Sequence, residues 1–246
     1  MVWLKKYFAF LLTLVAVAGC AEHDPILPGT RVDIFDVSNV RVENIDVPQL
    51  SNDAKNISGD AKCEYTQDSS NNIFIGDKKI FSGFSTNSVV RSNQSPICTG
   101  GFIYTGLTTG EVIKINASNN RVVWVTDVFR ASTMTGGTPV VDIVAHVGVD
   151  KDFVYAGGLG DAFCKLNKYS GEKIWCLDIS VPVDFIMVDN FVFVVGGNGT
   201  LYAINANNGK IYWMTEKVSQ IKPNYQNNLL TIGNLRINYH NGKIEK

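Results

Sequence analysis

Short apolar runs alternate with turn-forming clusters along most of this chain. Phe102-Ile103-Tyr104, Val112-Ile113-Lys114-Ile115, Phe153-Val154-Tyr155, Phe191-Val192-Phe193 and Leu201-Tyr202-Ala203-Ile204 are too short for amphipathic helices. They are rich in β-branched and aromatic residues, the composition of strands. Ile73-Phe74-Ile75, a Gly76-Asp77 turn and Lys79-Ile80-Phe81 predict a small hairpin. Ser51 to Asn72, polar and rich in Asn, Asp and Ser, predicts a loop.

One phrase recurs: Asn116…Asn120…Trp124, Asn167…Gly171…Trp175, Asn205…Gly209…Trp213 and Asn238…Gly242…Lys246, each with the turn residue four after the Asn and the last position four further on. Self-similarity of this kind marks a repeat architecture. The opening Asn can bond its own backbone two residues on. The turn residue is always Gly or Asn, the two types that suit positive φ. Before each phrase lie two apolar segments. A third segment precedes these two in the first three units, at 94–98, 138–144 or 181–188, which with the strand ending in Trp gives four strands per unit. Four-stranded units of this length predict an all-β propeller of antiparallel blades, a small or incomplete ring of about four or five. A Trp at a fixed place in each unit is expected to fill space between neighbouring sheets.

The phrase resembles the quinoprotein (PQQ-like) propeller repeat. Gly199-Thr200-Leu201-Tyr202-Ala203-Ile204-Asn205-Ala206-Asn207-Asn208-Gly209-Lys210-Ile211-Tyr212-Trp213 follows that family's pattern closely, and the resemblance covers about residues 73–246. One branch of the family comprises quinone-dependent dehydrogenases. Another comprises BamB-type lipoproteins of the outer-membrane β-barrel assembly machinery, which use the repeat without a cofactor. Members of that branch are eight-bladed and longer. The resemblance therefore leaves open a divergent short member, a propeller of four or five blades, or a truncated product.

The N-terminus bears on the choice between branches. Lys5 and Lys6 precede an apolar run from Tyr7 to Ala16, and Val17-Ala18-Gly19-Cys20 follows. This is the layout of an export signal, and it resembles a bacterial lipobox. That resemblance implies cleavage before Cys20, lipid attachment to Cys20 and, with Ala21 next, sorting to the outer membrane. The expected organisation is a signal peptide over 1–19, a tether with first strands over 20–60, and the repeat domain over 61–246. Lipobox and bare repeats together favour the second branch. It implies an anchored periplasmic scaffold that contacts the central barrel-assembly subunit, has no catalytic residue and needs no cofactor. A quinone-dependent dehydrogenase, or a cell-envelope adaptor unrelated to barrel assembly, is the alternative.

Composition adds exclusions. A formal net charge of −1 gives no basic footprint for nucleic acid. Gly157-Gly158-Leu159-Gly160 and Gly196-Gly197-Asn198-Gly199 are followed by strands, so they are inter-strand turns rather than phosphate loops. His23, His146 and His240 lack metal-ligand spacing. Asp142, Asp150, Asp152, Asp184 and Asp189 fall beside strand ends, where turns favour Asp. Cys164 and Cys176 flank one tight turn symmetrically, which makes them a candidate cross-strand disulfide; the alternative is two buried thiols. Cys63 and Cys98 have no pairing legible in the sequence. The connection Thr126 to Gly137, with Phe129 and Arg130, is the candidate partner-binding loop; a solvated loop with one packed Phe is the alternative.

Overall fold

Most of the predicted apolar runs form strands. The computed structural model describes residues 46–51, 54, 63–86, 95–129 and 140–245. Cys20, Arg130 and the signal-peptide segment lie outside these. No helix occurs among the described residues.

Among the described residues nineteen strands make five antiparallel sheets, each a meander. The first holds β1 (Tyr65–Gln67), β2 (Ile73–Ile75) and β3 (Lys78–Phe81). The second holds β4 (Ile97–Thr99), β5 (Phe102–Gly106), β6 (Glu111–Asn116) and β7 (Arg121–Asp127). The third holds β8 (Gly148–Val149), β9 (Phe153–Gly157), β10 (Phe163–Asn167) and β11 (Lys173–Leu177). The fourth holds β12 (Phe185–Val188), β13 (Phe191–Val195), β14 (Leu201–Asn205) and β15 (Ile211–Thr215). The fifth holds β16 (Asn224–Gln226), β17 (Leu229–Ile232), β18 (Leu235–Ile237) and β19 (Ile244–Glu245). This is the blade arrangement of a β-propeller.

Face-to-face packing joins the sheets in chain order. Ile73 meets Ile103 and Ile113 between the first and second. Trp124 and Tyr104 meet Val154 and Leu166 between the second and third. Tyr155 and Phe163 meet Val192 and Ile204 between the third and fourth. Phe191, Phe193 and Leu201 meet Tyr225, Leu230 and Ile237 between the fourth and fifth. Central strands such as β13 are buried at every position, which is why they appear as unbroken apolar runs.

Two expectations need correction. The supposed loop 51–72 contains β1. The first strand of the third sheet is β8, not the apolar stretch 138–144. Of that stretch, residues 140–144 are described and form no strand. Ile143 N–H bonds the Leu107 carbonyl at 3.2 Å and the Asp142 carbonyl accepts Leu159 N–H at 2.9 Å. These backbone groups brace neighbouring sheets, so they are not available to a ladder. The series continues from Val181 N–H to the Gly158 carbonyl (2.7 Å) and from Gly197 N–H to the Ser180 carbonyl (2.9 Å).

Candidate functional site

The recurring phrase builds a joint between adjacent sheets. Each Asn opens a five-residue turn. Its carbonyl accepts the N–H of Asn120, Gly171, Gly209 or Gly242 at 2.8–2.9 Å. Its side-chain oxygen takes the N–H two residues on: Ser118 at 2.9 Å, Tyr169 at 2.8 Å, Asn207 at 2.8 Å and His240 at 3.0 Å. All four turn residues have positive φ, between 56° and 75°.

Onto the last three turns docks the Trp of the preceding sheet. Trp124 Nε1–H donates to the Lys168 carbonyl (3.1 Å), Trp175 to Ala206 (3.3 Å) and Trp213 to Tyr239 (2.8 Å). The acceptor is each time the residue after the Asn. The indole lies against the turn glycine. A Cβ on Gly171, Gly209 or Gly242 would come within 2.8, 2.9 or 2.5 Å of Trp124, Trp175 or Trp213. Asn120 is the exception, and no Trp docks on its turn among the described residues.

Two lysines join the same carbonyls. Lys114 Nζ donates to the Lys168 carbonyl at 2.8 Å and Lys165 Nζ to Ala206 at 2.7 Å. Both are buried. Lys114 lies over Phe102 at 4.1 Å and Lys165 over Phe153 at 3.6 Å, so aromatic faces replace part of the lost hydration. Burial pulls both ammonium groups below the usual lysine range; Lys168 adds to this at Lys114, and Asp150 opposes it at Lys165. Burial pushes the Tyr104 hydroxyl up to about 12, and raises Tyr155 further with the help of Asp150. Lys114, Lys165 and Ala203 share one register position, opposite Trp124, Trp175 and Trp213, and each is followed by a bulge. The fourth sheet therefore lacks the amine. The signal for these lysines was a charged residue inside an apolar central strand.

At the other end of the sheets, Asp184 ties three of them together. Its carboxylate accepts from His146 Nδ1, from Lys222 Nζ at 2.7 Å and from its own neighbour, Phe185 N–H, at 2.9 Å. His146 leads into β8, Asp184 into β12 and Lys222 into β16. His146 also stacks on Phe185, with ring centroids 5.0 Å apart. Burial would raise Asp184, but the hydrogen bonds and charges of His146 and Lys222 outweigh it and hold the carboxyl below its ordinary 3.8. Nothing in sequence spacing joins these three residues.

Phe129 is half-buried. Its ring faces Gly110 and its Cβ faces Gly160, where added Cβ atoms would meet it at 2.7 and 2.5 Å. Cys164 lies directly opposite Cys176 and is bonded to it, with Cα atoms 4.1 Å apart. A second disulfide, Cys63–Cys98, links the first two sheets, with Cα atoms 5.2 Å apart. Among the described residues no group of three or more His, Cys, Asp or Glu could hold a metal ion, and no helix is long and apolar enough to cross a membrane.

Meander sheets joined by Trp-on-turn docks define a β-propeller protein of PQQ-like repeats. The profile of the family described as outer membrane protein assembly factor BamB matches residues 82–215 and 165–230. The chain belongs to that family. It is 21% identical over 137 residues to the outer membrane protein assembly factor BamB of Kangiella koreensis, covering 56% of this chain and 35% of that one. It is 23% identical over 133 residues to the BamB of Alkalilimnicola ehrlichii, covering 54% and 35%. The crystal structure of BamB from Moraxella catarrhalis superimposes with a TM-score of 0.51 and 14% identity, covering 79% of this chain and 57% of that one. The chain spans about a third of the length of the curated relatives it matches.

Proposed function

We propose that this protein is a non-catalytic accessory subunit of the outer-membrane β-barrel assembly machinery, held at the periplasmic face of the outer membrane by lipid on Cys20. Family membership over the repeats carries this reading. The residues that set the repeats apart support a scaffold. The Trp and Lys side chains are engaged in joining one sheet to the next, and the turn glycines leave room for the indoles. Two disulfides fit an exported protein folded in an oxidising compartment.

The partner in this reading is the central barrel-assembly subunit, through its periplasmic domains. Two surfaces suit it. One is the sheet end that bears the second-to-third-strand turns, Phe129, His146, Asp184 and Lys222. The other is the row of outermost strands, where Val123, Val125, Ile174 and Met214 are exposed. A mild-detergent pull-down of the native protein, with partners identified by mass spectrometry, tests the reading. Recovery of the central subunit is expected. Recovery of a different envelope complex in its place overturns the assembly role.

A further inference from the structure

The core between the fourth and fifth sheets differs from the two before it. It has Ala203 where those cores have a lysine, and aromatic rings surround that position: Phe191, Phe193, Tyr212, Trp213 and Tyr239. It also takes in residues from far up the chain. Leu50 is buried within it at 9% exposure, and Val47 and Ala54 pack against its margin. Ser51 hooks this segment down. Its N–H and its hydroxyl both donate to Asp189 Oδ2, at 3.1 and 2.9 Å. The matching aspartate of the third sheet turns inward instead. Asp150 Oδ1 accepts Asp152 N–H at 2.8 Å and Phe153 N–H at 2.6 Å, within its own turn. Asp189 occupies a first-to-second-strand turn with φ 50° and presents its carboxylate outward.

We propose that the core between the fourth and fifth sheets is a docking site for this chain's own segment 46–51, which closes over it as a releasable clasp through Leu50 and Ser51. Residues 46–51 pair with no strand of the five sheets. One buried leucine, the half-buried Val47 and an exposed hook hold the segment. Such a segment opens more readily than a laddered strand, because its release breaks few interactions. With Ala203 at the register position that holds Lys114 and Lys165 in the two cores before it, this core has no lysine there, which suits the Leu50 side chain seated in it.

The test uses the full chain in wild-type, Leu50→Asp and Asp189→Asn forms, with a labelled synthetic peptide of residues 45–54. Hydrogen exchange is expected to rise about tenfold in β12, β13, β16 and β17 of Leu50→Asp while β4–β7 keep wild-type protection. The peptide should bind Leu50→Asp, restore that protection, and leave wild type unlabelled. The same peptide with Asp in place of Leu should not bind. Asp189→Asn, a surface change outside the packed core, should raise exchange at Leu50 and Ser51 first. The proposal is overturned if both variants keep wild-type exchange in the fourth and fifth sheets. It is equally overturned if a folded, opened variant fails to capture the peptide.

Discussion

Replacing Gly209 with Ala tests the Trp dock directly. Gly209 has φ 75°, and a Cβ there would lie 2.9 Å from Trp175 Cδ2 and 3.0 Å from Cγ. Two costs arise. The left-handed backbone costs a residue with a Cβ about 1–2 kcal/mol. The indole must also leave its seat, losing its bond to the Ala206 carbonyl, about 1 kcal/mol net. Uncovering part of a large ring adds about 1 kcal/mol. The sum is about 3–4 kcal/mol, which in a domain of this size lowers Tm by roughly 6–15 °C. Gly76 supplies the control. Its φ is 55°, with nothing within 4 Å of an added Cβ, so Gly76→Ala should cost only the backbone strain, about 1–2 kcal/mol. Gly209→Asn separates the terms further, since Asn tolerates positive φ yet keeps the Cβ that strikes Trp175. Urea unfolding followed by circular dichroism measures all three. Equal losses for Gly209→Ala and Gly76→Ala would refute the dock as the reason for the glycine.

Four further outcomes are expected. Asn120→Gly should change stability by less than about 1 kcal/mol by urea titration, because no described Trp needs the missing Cβ there. Lys165→Met should also stay within about 1 kcal/mol, since Trp175 still donates to the Ala206 carbonyl and the stem volume is kept, whereas Lys165→Ala should lose about 2 kcal/mol or more in the same titration. Asp184→Asn should cost about 2 kcal/mol near neutral pH. Because the folded carboxyl is held below 3.8, the Asp184 contribution is present above the unfolded value and lost as pH falls through the folded one. The stability gap between wild type and Asp184→Asn, followed by thermal unfolding against pH, should therefore persist above about pH 5 and close below about pH 4. Replacing Cys164 and Cys176 together by Ser should lower stability by about 2–3 kcal/mol under non-reducing conditions and abolish its dependence on added dithiol at that site.

The repeat unit was legible because its signals are local. Strands alternate with turns within a few residues, and a turn's φ is set by the residues inside it. Asn116, Asn167, Asn205 and Asn238 therefore announced their turns, and the Trp spacing announced the sheets. The symmetric placing of Cys164 and Cys176 about one turn was legible for the same reason. What the sequence left equivalent, packing made distinct. Gly171, Gly209 and Gly242 answer to an indole from another sheet, while Asn120 meets none among the described residues. The stretch 140–144 looked like a strand because it is apolar; its backbone groups instead bond neighbouring sheets. His146, Asp184 and Lys222 meet across 38 residues on either side of the aspartate, and Ser51 reaches Asp189 across 138. Such contacts depend on how one sheet lies against the next. That geometry follows from the sum of all side chains between them, so no short stretch of sequence carries it.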